Sequence, residues 1–212
     1  MKLKTSRYKQ KSEKCFDRQA GDYDRSRDGA HSRKAYPVIL EKLKSIQFQS
    51  IMDVGCGTGE LLKQLLAARD ARASGLDLSS EMIQVARAKL GDKVDLRVGD
   101  SEALPWDDGS FDILTCIDSF HHYPNPVAVL KEMRRVLKPT GQLLISDVWL
   151  QTPMRQVGNA FIRFSRDGDY KIYSRKAFEE VLRKAGFAMQ EWEVRNSTNS
   201  FMNNSFLTAV PS

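Results

Sequence analysis

The chain has 212 residues, 41% of them hydrophobic, enough for one domain with a single sizeable core and too few for two full ones. No run approaches the ~20 consecutive apolar residues of a bilayer-spanning helix, and the lysine-rich start lacks the apolar stretch of a secretion signal, so a cytoplasmic location is expected. The formal charge of +6 sits mostly in the first 14 residues, where Lys2, Lys4, Arg7, Lys9, Lys11 and Lys14 face only Glu13, so the body is nearly neutral and nucleic acid is not an expected partner.

Residues 1–15 read as a basic, flexible tail, followed by a single domain over 16–212 with short lid elements at about 16–31 and 149–173. An amphipathic helix is predicted from about Ser32 to Ser45 through Val38, Ile39, Leu40 and Leu43, leading into a strand from Ile51 to Val54 and a glycine turn. Residues 58–69 read as a helix on Leu61, Leu62, Leu65 and Leu66, with a second strand around Ala73 to Leu78. Ser79 or Ser80 is placed to cap the next helix, which carries Met82, Ile83, Val85, Ala86 and Leu90. Strands from Val94 to Val98 and from Phe111 to Ile117 precede a helix opened by Pro124 and Pro126 and stopped by Lys138, Pro139 and Gly141.

A fifth strand runs from Gln142 to Val148, and Trp149 to Tyr173 shows no clear period. A helix from about Ser174 to Ala185 follows, then two apolar runs, 187–194 and 206–210, joined by a polar Asn/Ser stretch and expected as an antiparallel pair at the sheet edge. Alternation of strands and helices from residue 33 onward predicts an α/β fold, a mostly parallel sheet of seven strands with helices on both faces. Three cysteines, Cys15, Cys56 and Cys116, without a CxxC pair, indicate neither a disulfide framework nor a metal site.

In such a sheet, ligands bind beyond the carboxyl ends of the strands, and the distinctive residues collect there. Gly55 to Gly59 follows strand one, Asp77 ends strand two, Asp100 follows strand three, and Asp118 to His122 follows strand four. A dinucleotide fingerprint would need glycine at position 60; Glu60 would instead oppose a pyrophosphate at the helix start, which favours a ligand without phosphates. Asp77 stands 22 residues after Gly55, the separation expected of a carboxylate that accepts both hydroxyls of an adenosine ribose, with helix capping as its alternative role. Met82 is placed to pack on adenine or simply in the core, and Asp100 to accept from the adenine amino group or to shape a turn.

DVGCGTG at 53–59, GLDLSSEMIQVA at 75–86, GDSEALPWDDGSFD at 99–112 and HHYPNPVAVLKEMRRVLKPTGQLLISD at 121–147 together resemble the class I S-adenosylmethionine-dependent methyltransferases, in the broad group that includes quinone-biosynthesis enzymes. The resemblance implies a Rossmann-like, doubly wound sheet of seven strands with the last antiparallel. It also implies contacts of Asp53, Gly55, Cys56 and Gly57 with the methionine moiety, Asp77 and Leu78 with the ribose, Asp100 and Ser101 with adenine, and the Ile117 carbonyl with the amino group. Tyr23 matches a tyrosine that closes over the methionine end.

The function so implied is transfer of a methyl group from S-adenosylmethionine to a small-molecule acceptor, leaving S-adenosylhomocysteine. A sulfonium already activates the methyl group, so a base is needed only for an acceptor that carries a proton. His121 is the favoured base and His122 a structural partner, since neighbours on an extended stretch face opposite ways; His31 and Asp147 rank behind them. Acceptor specificity is expected in the helix before strand one and in 149–173, where Trp149, Met154, Phe161, Phe164, Tyr170 and Tyr173 are placed either to line a pocket or to form the lid's own small core, and Arg155, Arg163 and Arg166 read by default as solvated surface charge, with pairing to an acidic acceptor as the alternative. An adenosylmethionine-binding protein without turnover, an RNA methyltransferase and a nicotinamide oxidoreductase are the alternatives left open.

Overall fold

The computed structural model describes residues 2–195 and 203–212, apart from the side chains of residues 2–6 and 163. Seven strands, β1 (Ser50–Val54), β2 (Arg72–Asp77), β3 (Val94–Val98), β4 (Phe111–Ile117), β5 (Leu137–Trp149), β6 (Phe187–Arg195) and β7 (Asn203–Pro211), form one sheet in the order β3-β2-β1-β4-β5-β7-β6. The first five pair in parallel, while β7 lies antiparallel between β5 and β6. The antiparallel pair is as the sequence predicts, but β7 is interior. Phe206, Leu207, Thr208 and Ala209 are all buried, as a strand covered on both faces requires.

Period-two alternation divides the sheet into two apolar faces. Leu114, Cys116, Leu143 and Ile145 pack toward α6 (Pro126–Val136) and α8 (Arg175–Lys184), with Leu130, Met133, Phe178 and Leu182 in the same core. Ile113, Ile117 and Leu144 face the other way, toward α3 (Tyr36–Lys44), α4 (Glu60–Ala68) and α5 (Ser80–Leu90) through Ile39, Leu43, Leu62 and Ile83. Ser79 caps α5 by accepting from the Met82 backbone N–H at 3.1 Å, and Ser174 caps α8 in the same way.

Three local expectations are corrected. The helix predicted from Ser32 is two pieces, α2 (Arg27–Ser32) and α3, because Pro37 lacks an N–H and its ring would clash one turn back, so it is accommodated in the first turn of a new helix. LKPTG does not merely stop α6; β5 begins at Leu137, which pairs with Phe111 before the register shifts to Ile113 opposite Gln142. Residues 2–15 are no loose tail but most of an 18-residue helix, α1 (Lys2–Gln19). Tyr8, Ser12, Cys15 and Gln19 recur at helical spacing on its inner face; Ser12 and Cys15 are buried, and Lys9 and Lys11 are tied to the body by hydrogen bonds to Asp100 and the Ser165 carbonyl. The polar stretch before β7, residues 196–202, lies outside the described residues.

Candidate active site

Two cavities open at the carboxyl ends of the strands, under α1. The smaller, about 70 Å³, is lined by Gly55, Asp77, Leu78, Asp100, Ser101 and Ser119, with Lys9, Ser12, Phe16, His122 and Tyr123 around them. Gly55 has φ of +77°, and a side chain there would strike Ser119 Oγ at 2.1 Å, so glycine is what lets the β1 turn approach the turn after β4. Asp77 accepts from the backbone N–H of Gly57 at 2.8 Å through one oxygen and of Ser79 at 2.9 Å through the other, which fixes the carboxylate and leaves each oxygen further lone pairs. Burial pushes its pKa up, against the opposing pull of those N–H groups. Lys9 donates to Asp100 Oδ2 at 2.6 Å and contacts Glu102 at 2.6 Å, so α1 is latched over this cavity by ion pairs.

The larger cavity, about 360 Å³, is bounded by Phe16, Tyr23, Asp28, His31, Asp118 and Asp169, together with His121, His122, Asp167, Gly158 and Phe161 of α7 (Met154–Phe161) and Ile162 after it. Phe16 and His122 line both cavities, and their rings meet edge to face at 5.2 Å. Residues 120–122 form a 3₁₀ turn, not an extended stretch, so both histidines reach the cavity, ring centroids 4.0 Å apart.

Their environments split them. Burial disfavours charge on His121, but Asp147, whose Oδ1 is 2.5 Å from Nδ1, outweighs it with help from Asp169 and Asp118, and pushes the pKa up to about 9. Burial, and then the charge of His121, push His122 well down; a hydrogen bond to the Gly168 backbone opposes them, and Nδ1 lies 3.2 Å from Asp169 Oδ1 without making a hydrogen bond. Asp118 is pushed up to about 7 by burial and by Asp147. His121, His122 and Asp169 bring three donor atoms within 4.8 Å of one another, but a protonated His121 repels a metal ion.

Residues 52–145 match the family model described as a methyltransferase domain. The chain is 31% identical over 151 residues to the O-methyltransferase cnsE of Penicillium expansum, covering 69% of this chain and 54% of that protein. It is 37% identical over 111 residues to the ubiquinone biosynthesis O-methyltransferase of Dechloromonas aromatica, covering 50% of this chain and 47% of that protein. The chain thus spans about half the length of these relatives. Residues 52–145 are therefore a methyltransferase domain, and the chain is similar through them to S-adenosylmethionine-dependent methyltransferases of class I. A chain of the complex between the Haloferax volcanii Trm112 methyltransferase activator and a methyltransferase shares the fold, with a TM-score of 0.80 at 22% identity over 94% of this chain and 97% of that one.

For this methyltransferase the structure brings Gly55, Asp77, Leu78, Asp100 and Ser101 to one cavity and Tyr23, His121 and His122 to the other, with His122 in both. Five predicted contacts lie off the cavity walls. Met82, Cys56 and Ile117 are buried, the last two in the apolar core beneath α4 and α5, which for Ile117 concerns the side chain and not the carbonyl expected to make the contact. Asp53 is buried behind the glycine turn, where it accepts from Thr115 Oγ1 at 2.7 Å and burial pushes its pKa up to about 7. Gly57 is met only through its N–H to Asp77.

The lid aromatics diverge as well. Phe161 lines the larger cavity, Met154 and Phe164 are exposed, and Tyr173 is buried against Phe120 and Phe178. Neither Arg155 nor Arg166 lines the cavity, and the side chain of Arg163 lies outside the described residues. Sequence reasoning missed Phe16, Asp28, Asp167 and Asp169; the signal for the last two was RDGDY at 166–170, two carboxylates flanking a glycine inside the aperiodic segment. Among the described residues no helix is long and apolar enough to cross a membrane.

Proposed function

We propose that this chain transfers the methyl group of S-adenosylmethionine to a small-molecule acceptor, with the adenosyl part in the smaller cavity and the acceptor in the larger. The observation that carries this reading is that the two cavities share the walls Phe16 and His122, so a group passing between them has one place to cross. The donor set fits the nucleoside: Asp77 keeps lone pairs for vicinal hydroxyls, Asp100 and Ser101 lie at the next strand end, and Gly55 leaves its wall bare. At about 70 Å³ the smaller cavity is well below the roughly 300 Å³ of ordinary ligand clefts, so admission requires α1 to lift and the Lys9 ion pairs to break.

The sulfonium supplies an already activated methyl group. What the chain contributes is orientation, exclusion of water by α1, and a place for a proton. The reading assigns that last role to His122, whose pKa burial and His121 hold well below the usual imidazole value and whose Nδ1 makes no hydrogen bond, with the Asp169 carboxylate 3.2 Å away to steady a proton taken up there; His121 holds its proton against Asp147 and acts as the fixed positive neighbour. The test uses methyl-labelled S-adenosylmethionine and a metabolite extract. Labelled small-molecule product should form, and His122→Gln should lower its rate by ~100-fold or more while S-adenosylhomocysteine affinity stays within about twofold. Equal rates in the two proteins would remove His122 from the mechanism, and no product with a protein that binds the cofactor would leave a binding protein without turnover.

A further inference from the structure

The larger cavity is acidic in a way the smaller is not. Asp28 from α2, Asp118 after β4, and Asp167 and Asp169 from the loop before α8 all line it, and among the described residues no lysine or arginine does. The cation facing it, His121, is already shared by Asp147 on one ring nitrogen and Asp169 on the other. Like charges crowd: Asp28 is pushed up by burial and then by Asp167.

One carboxylate has room for a ligand. The Asp118 side chain is 5% exposed; Oδ1 accepts from Asn204 Nδ2 at 3.1 Å and the Ser32 hydroxyl also draws on the carboxylate, while Oδ2 makes no well-formed hydrogen bond. His31 Nε2 lies 4.0 Å from that oxygen, too far for a hydrogen bond, and is itself buried without a partner. Asp118 also sits at φ of +46°, a left-handed conformation that few non-glycine residues adopt and that aspartate and asparagine tolerate best. A buried carboxylate oxygen without a partner is costly, and a neutral imidazole beside it adds a second acceptor. A group with two or more N–H donors and a positive charge satisfies both. Phe16, Tyr23 and Phe161 around the same cavity offer aromatic surface, which suits a cation and its hydrocarbon body.

We infer that the methyl acceptor is a small molecule carrying an ammonium group, held by Asp118 with His31 beside it and faced by Asp169. The inference rests on the methyltransferase reading above, since it names the class of acceptor for that same site. A carboxylate or phosphate on the acceptor is disfavoured in the larger cavity, where four acidic side chains face one imidazolium that Asp147 and Asp169 already share.

The test is calorimetric and uses three probes of one shape and different charge, 2-phenylethylamine, 4-ethylphenol and 3-phenylpropionate, titrated into protein saturated with S-adenosylhomocysteine. The amine should bind about tenfold or more tighter than either of the others. Asp118→Asn, which the left-handed backbone accommodates, should weaken the amine about tenfold and leave S-adenosylhomocysteine binding unchanged. Asp169→Asn, at a half-buried position, is the second variant should the first not fold, with a loss of severalfold. Binding of the phenol or the carboxylate as tight as the amine, no heat from any of the three, or an amine affinity indifferent to both substitutions would overturn the inference. Absence of heat from S-adenosylhomocysteine itself would instead overturn the methyltransferase reading on which it stands.

Discussion

Asp147→Asn isolates what holds the proton on His121. The unfolded imidazole titrates near 6.5, and in the fold Asp147 raises it to about 9, so the folded state binds the proton more tightly. Stability from this pair is fully present below pH ~6.5 and is lost as pH rises through about 9; at ~1.36 kcal/mol per pH unit the full contribution is about 3 kcal/mol, of which about 2 kcal/mol is lost between pH 7 and 9.5. Asp53 and Asp118, raised to about 7, withdraw most of their stability between ~3.9 and about 7, below that window. Buried Cys56 and Cys116, with thiols pushed up first by burial, add a fall of their own above ~8.5; that of Cys56 is common to both proteins, while Asp147 adds to that of Cys116 and works in the same direction as the pair. Urea unfolding followed by circular dichroism near pH 7 and near pH 9.5 therefore reads the pair as a difference. The wild type should lose about 2 kcal/mol more than the variant across the interval. The same pH dependence in both would refute the pairing and, with it, the division of labour between the two histidines.

Gly168→Ala should destabilise the loop that closes over α1, because φ there is +75° and the new methyl would lie 2.4 Å from Ser12 Oγ and 2.7 Å from the Tyr8 carbonyl oxygen. A cost of about 1–3 kcal/mol, a fall of several degrees in Tm, is expected by scanning calorimetry, and an unchanged Tm would contradict the close packing. Lys9→Ala should tighten S-adenosylhomocysteine binding by up to about fivefold in isothermal titration, since partly exposed ion pairs are worth at most ~1 kcal/mol and they must break for the ligand to enter. Weaker binding by that variant would mean that Lys9 holds the ligand and does not compete with it.

The sheet was legible because its signals are local and repeated. Ile51 to Val54, Val94 to Val98 and Phe111 to Ile117 are apolar runs bounded by turn residues, and Ser79 and Ser174 cap helices where the pattern begins. Three-dimensional convergence at the strand ends followed from topology, which is why Gly55, Asp77 and Asp100 share a cavity. What escaped has physical causes. Charge in the first 14 residues masked the inward stripe of Tyr8, Ser12 and Cys15, polar or small residues that a hydrophobicity pattern underweights. The histidine roles turned on a 3₁₀ turn and on Asp147, a residue 26 positions away whose proximity no spacing rule conveys. Cys56 and Met82 sit near cavity residues in sequence but are buried in the core, Met82 because it lies on the inner face of α5.

Titration of S-adenosylhomocysteine into the wild-type chain and into Asp77→Asn, by calorimetry on folded protein, bears most directly on the donor site. A single site should appear in the wild type and weaken by roughly tenfold to a hundredfold in the variant, as loss of charge-assisted hydrogen bonds to ribose hydroxyls requires. A flat trace with the wild type, or equal affinity in the two proteins, would contradict the assignment of that cavity to the adenosyl group.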